Sequence, residues 1–234
     1  MRVWLAEFIG TFALVFVGVG AIAAGLEALA VALAFACAVA VMIAAVGPIS
    51  AAHFNPAVTL AFWAMRRTRL AEVPLYWSAQ LAAGVVAVSA LSLWGGADRL
   101  EGVAYGATRL APGLSPWAGV GVEAVLTFFL VFVIASIVIR KHAMDGLYIG
   151  LTVGAGALAG GSLTGASMNP ARSFGPALVS GEWGAHWVYW VGPCLGAVAA
   201  ALSAQYLWTR RTDPLAEVGR ATSRGHPLER GEQV

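Results

Sequence analysis

Along most of this chain apolar residues do not alternate with polar ones; they run almost unbroken for stretches long enough to cross a bilayer. Six such runs fall near 3–24, 27–47, 73–94, 117–139, 146–164 and 186–208. A membrane-spanning helix needs about 20 residues, so the pattern predicts an all-α membrane protein with six transmembrane helices. The first run is too long for the core of a signal peptide and no convincing cleavage site follows it, so it is expected to remain in the mature protein. After residue 208 the character changes. Residues 209–234 are polar, rich in Arg and Glu, and read as a disordered cytoplasmic tail to a single membrane domain over 1–208.

Composition agrees with lipid as part of the solvent. Of 234 residues 59% are hydrophobic and 11% charged, with a mean hydropathy of +0.78. Soluble domains carry about 45–50% apolar and about 25% charged residues. The net charge of +2 is too small to suggest a nucleic-acid partner. Cys37 and Cys194 lie far apart inside apolar runs and read as small buried side chains rather than a disulfide or metal site. Cytoplasmic loops of membrane proteins carry the excess of Lys and Arg. With the N-terminus inside, Arg2, Arg66, Arg67, Arg69, Arg140, Lys141 and the five tail arginines share one side, and only Arg99 and Arg109 lie outside. Both termini are therefore expected in the cytoplasm.

The chain repeats itself. Ala6–Val17 laid over Val122–Val133 matches Glu7, Thr11 and Phe12 to Glu123, Thr127 and Phe128, with four more identities beyond. HFNPAVT from His53 faces SMNPARS, and Tyr76-Trp77 faces Tyr189-Trp190. Each half, about 3–94 and 117–208, holds three spans. An odd number of spans inverts the second copy, which places polar sites near the midplane where the halves meet.

Two segments break the apolar rule. Residues 50–65 and 164–179 are too apolar for a loop in water and too short to span. Each contains Asn-Pro-Ala: Asn55, Pro56 and Ala57, then Asn169, Pro170 and Ala171. Asn is a favoured N-cap and Pro a favoured first helical residue, so each segment reads as a half-helix starting at its Asn. Inversion drives the two in from opposite faces with their N-termini meeting. Each N-terminus is equivalent to roughly +0.5 charge, which repels hydronium and metal cations. The amides of Asn55 and Asn169 can donate to a passing water oxygen and interrupt a proton-hopping chain.

These paired motifs, the Glu-x-x-x-Thr-Phe repeats, His53-Phe54 before the first motif and Arg172-Ser173-Phe174-Gly175-Pro176 after the second resemble the aquaporin, or major intrinsic protein, family over about 3–208. The resemblance implies a right-handed bundle of six helices and two re-entrant half-helices, no cofactor, and a homotetramer with one pore per subunit. It also carries a selectivity filter onto Phe35, Ala157, Ala166 and Arg172, and makes Glu7 and Glu123 acceptors for the non-helical backbone before each motif.

At Ala157 the chain departs from strict water channels, which carry histidine there. The constriction is then wider and less polar, and Gly154, Gly156, Gly160 and Gly161 suggest close packing around it. This stretch resembles plant vacuolar members of the family. Arg172 has a second reading, snorkelling to the interface. His53 likewise has two, lining the inner vestibule or packing. His142 on its turn reads as solvated, and Trp4, Trp63, Trp94, Trp117, Trp183 and Trp187 as an interfacial belt.

The expected function is a passive channel for water and small uncharged solutes that excludes protons and ions. The alternative is a glycerol facilitator. Such facilitators usually show Asp at Ser173, a basic residue at Ala177 and no Tyr189-Trp190 pair, so only the small Ala157 leans that way. No nucleophile–base pair, metal cluster or nucleotide loop suggests an enzyme or energised pump. Thirteen Arg against one Lys suggests a GC-rich prokaryotic gene and hence a plasma membrane.

Overall fold

The computed structural model describes residues 1–140 and 145–209. His142 and nearly all of the expected tail, residues 210–234, lie outside the described residues. Six long helices carry the spans: α1 (Arg2–Ala23), α2 (Ala28–Ser50), α4 (Val73–Gly95), α6 (Pro116–Arg140), α7 (Asp145–Thr164) and α9 (Val188–Thr209). Each is long and apolar enough to cross a membrane. Between them lie two short helices, α3 (Pro56–Ala64) and α8 (Pro170–Ser180), and a five-residue helix, α5 (Ala97–Glu101), in the α4–α6 connection. Among the described residues no strand occurs. The runs seen in the sequence coincide with the spans to within a few residues.

Both half-helices begin as the Asn-Pro pairs dictate. The Asn55 side chain accepts from Ala57 N at 2.8 Å, and Asn169 accepts from Ala171 N at 3.0 Å, with proline following each as the first helical residue.

Hydrocarbon provides no hydrophobic drive between helices, so close approach of small residues holds them together. The α2–α7 pair shows this most clearly. A β-carbon on Gly146 would lie 2.5 Å from Ala40 O, and one on Gly154 3.1 Å from the Ala36 β-carbon, while Gly150 abuts Ala36 O. These two helices are each other's counterparts in the repeat, and they cross where Ala36 meets Gly150. Elsewhere Gly192 and Gly196 seat α9 on α6, and Gly84 lets α4 approach Ala171 O of α8.

Two packing expectations need correction. Cys37 is exposed on the outer surface of the chain rather than buried, because α2 turns it away from the interior; Cys194 is half-buried. Gly161 does not pack closely, since nothing lies within 4 Å of where its β-carbon would be. It borders open space, whereas Gly154, Gly156 and Gly160 do meet neighbours. Of the six tryptophans expected in the interfacial belt, Trp94 and Trp117 are the most exposed, at 72% and 74%; Trp63, Trp183 and Trp187 are exposed as well, and Trp4 is half-buried.

Candidate functional site

The peptide before each Asn-Pro-Ala is folded the same strained way. Ala51, Ala52 and Phe54 have φ of 64°, 50° and 52°, and their counterparts Gly165, Ala166 and Met168 have 78°, 44° and 53°. A non-glycine residue in this left-handed region costs of order 1–3 kcal/mol and persists only where its surroundings enforce it. Two buried glutamates supply that enforcement. Glu7 accepts from Ser50 Oγ (2.6 Å), His53 N (2.9 Å), Phe54 N (2.7 Å) and Gln80 Nε2 (2.8 Å). Glu123 accepts from Thr164 Oγ1 (2.7 Å), Ser167 N (2.9 Å) and Met168 N (2.7 Å). A hydrogen bond contributes about 0.5–1.5 kcal/mol net, so the set on each glutamate is of the same order as the strain it holds.

Further pairs reinforce the two halves. Tyr76 Oη donates to Ser50 O at 2.9 Å and Tyr189 Oη to Thr164 O at 3.0 Å. The indoles of Trp77 and Trp190 meet edge to face at 5.7 Å. The tyrosines and tryptophans stood out in the sequence as a repeat, but their partners are visible only in three dimensions.

The half-helices meet through their asparagines. Asn55 Nδ2 donates to Met168 O at 2.7 Å, and Asn169 Nδ2 donates to Phe54 O at 2.8 Å. An amide nitrogen has two hydrogens, so each asparagine keeps one donor beyond this reciprocal pair. Both residues border a cavity of about 730 Å³.

That cavity runs most of the depth of the bundle. It is bordered by Asp145 at the start of α7 and by Gly161 near its end, sixteen residues or about 24 Å of helix apart. Phe35, Ala157, Ala166 and Arg172 all line it, as does His53. Arg172 is only 4% exposed, so it does not snorkel. Its Nη1 donates to Gly106 O at 2.7 Å, and its Cζ sits 5.2 Å from the centre of the Phe35 ring. A guanidinium has five N–H donors, and the bond to Gly106 O engages one of them.

His53 is packed and also borders the cavity. The ring stacks on Tyr76 at 4.4 Å, packs on Phe62 at 4.2 Å and pairs Nδ1 with Thr59 Oγ1 at 3.1 Å, yet it still borders the cavity. Thr59 Oγ1 also lies 3.1 Å from Asn55 O and accepts from Gln80 Nε2 at 3.1 Å.

The α4–α6 connection contributes residues the sequence reading missed. Gly106 O orients Arg172, and Thr108 Oγ1 donates to Ser173 Oγ at 2.8 Å, which lies 2.5 Å from Ser167 Oγ. Gly106 has φ of 72° and abuts Val19, which a β-carbon would crowd. This connection belongs to neither repeat, so aligning the halves gave it no counterpart.

Six membrane-length helices around a lumen bordered by two asparagine-capped half-helices have the architecture of a channel. The major intrinsic protein family model matches residues 1–204, and the chain belongs to that family. Among curated relatives, it is 48% identical over 217 residues to aquaporin TIP4-4 of Zea mays, covering 86% of this chain and 84% of the relative. It is 40% identical over 234 residues to aquaporin NIP1-1 of Oryza sativa subsp. japonica, covering 94% and 78%. In structure it is similar to the aquaglyceroporin from Plasmodium falciparum, with a TM-score of 0.80, 27% identity, and coverage of 93% of this chain and 98% of that one. The chain is accordingly a passive transmembrane channel of the water and small-solute class.

Proposed function

We propose that this channel conducts water with a range broadened to other small neutral solutes, through a filter formed by Phe35, Ala157, Ala166 and Arg172. The observation that carries this reading is the filter's chemistry on a continuous lumen: one arginine donor set, one aromatic ring and two alanines. Alanine at 157 leaves room and removes a polar partner. Asn55 and Asn169 orient permeant oxygens at the middle. The facing helix ends and Arg172 repel hydronium and metal cations.

A glycerol facilitator is the second reading. The small Ala157 favours it, and a similar solved structure is that of an aquaglyceroporin. Against it, Ser173 is engaged by Thr108 and Ser167 in a hydroxyl network with no acidic group, and Ala177 is buried against its neighbours. Four copies are proposed to assemble, each with its own pore. The preponderance of Arg and Lys near one face supports both termini in the cytoplasm, and the composition supports a plasma membrane.

The test is stopped-flow on proteoliposomes, first with an impermeant osmolyte and then with glycerol and urea. Water flux with measurable passage of at least one larger neutral solute is expected. Strict water selectivity sinks the broadened range, and glycerol flux exceeding water flux moves the chain to the facilitator class.

A further inference from the structure

The repeat that relates Asn55 to Asn169 also relates the proposed filter to a second ring. Moving each filter position by the 114 residues that separate the two asparagines pairs Phe35 with Ile149, Ala157 with Ile43, Ala166 with Ala52 and Arg172 with Val58. All four counterparts line the same lumen, in its other half, and Ile43, Val58 and Ile149 are buried. Inversion therefore builds two four-residue collars around one pore. One carries a guanidinium; the other carries aliphatic side chains alone.

The two collars treat a permeating molecule differently. At Arg172 a solute that sheds water regains a donor. At Val58 no side chain of the collar replaces what is lost, and of the two ring nitrogens of His53, Nδ1 is engaged with Thr59 and Nε2 is buried without a partner among the described residues. Water in single file keeps hydrogen bonds to the waters ahead of and behind it. A polyol or urea fills the collar with several polar groups at once, and those facing Ile43, Ile149 and Val58 go unpaired. The penalty grows with the number of hydrogen-bonding groups and not with diameter alone.

We infer that Ile43, Ala52, Val58 and Ile149 form a second, apolar specificity collar that discriminates against solutes of high hydrogen-bonding demand, independently of the width at Ala157. This rests on the lumen being the permeation path, and the test separates the two claims. The full chain is reconstituted as wild type, Val58→Thr and Ile149→Ala, and water, glycerol and urea fluxes are read from the same vesicles. Val58→Thr adds one hydroxyl at nearly unchanged volume. It is expected to raise the glycerol-to-water ratio about fivefold, the worth of one regained hydrogen bond. Ile149→Ala is expected to raise the ratio for both solutes. If the wild type passes neither solute, the variants are expected to open a measurable flux. Should Ile149→Ala fail to fold, the near-isosteric Val58→Thr decides alone. A water-conducting Val58→Thr with unchanged solute ratios overturns the collar. A wild type that conducts no water overturns the channel reading instead.

Discussion

The ring of Phe35 occupies the space that a β-carbon on Gly18 would need. Gly18 lies on α1 and does not border the lumen, yet it sets how far the Phe35 ring can withdraw from Arg172. The same relation recurs at the midplane, where Gly10 makes room for the ring of Phe54. Two glycines on one helix thus position an aromatic at the proposed filter and another beside the asparagines.

Gly18→Ala is accordingly expected to push the Phe35 ring towards the lumen and lower water permeability about threefold, the effect of forcing a side chain off its rotamer. Gly18→Ala with Phe35→Ala is expected to restore the flux, as contacting residues are non-additive. Osmotic stopped-flow on both reads this out, and a double variant no faster than the single one argues against steric coupling.

Ala157→His adds a ring and a polar group to the lumen that Arg172 also lines. It is expected to reduce glycerol and urea flux more than water flux. A uniform fall of all three, measured on the same vesicles, would mean that position 157 does not set the solute range.

Arg172→Ala removes the charge over Phe35 and the bond to Gly106 O. The chain should fold, because Glu123 still holds the peptide at 167–168. Proton or cation leak, followed with a pH-sensitive dye inside liposomes, is expected to rise modestly, since the facing ends of α3 and α8 keep their barrier. No change in leak from a folded variant would remove Arg172 from ion exclusion.

Glu123→Gln replaces one accepting oxygen with an NH₂ that must face Met168 N or Ser167 N. One backbone donor is left unpaired in a buried site, at a cost of about 1–3 kcal/mol. Earlier thermal unfolding in detergent is expected. Wild-type stability in this variant would contradict the role of the carboxylate in holding the left-handed peptide.

Mercury sensitivity follows from where the thiols lie. Cys37 is exposed on the outer surface and Cys194 half-buried, and neither borders the lumen, whereas Ala166 does. Water flux through the wild type is expected to resist brief, low-dose mercuric chloride, and Ala166→Cys to become sensitive. Rapid wild-type inhibition abolished by Cys37→Ser would place that thiol on the permeation path.

What could be read from the chain alone was whatever repeats or obeys a local rule. Six apolar runs determine the spans because a helix in lipid must satisfy its backbone internally. Asn-Pro determines where α3 and α8 begin, because Asn is a favoured N-cap and Pro a favoured first helical residue. Duplication of Glu7, Asn55 and Tyr76 marked them as paired, since apolar helices have no local reason to match polar residues in order. Which donors those residues serve is a property of the tertiary structure. The bond from Asn55 Nδ2 to Met168 O joins residues 113 apart, and no pattern along one half specifies it. Snorkelling of Arg172 to the interface stayed open until the fold buried it against Gly106 O. Cys37 and Gly161 came out opposite to expectation because a helix that is apolar all round carries no signal telling its lipid, packing and lumen faces apart. In water the outward face announces itself by being polar; in a membrane only the neighbouring helices decide it.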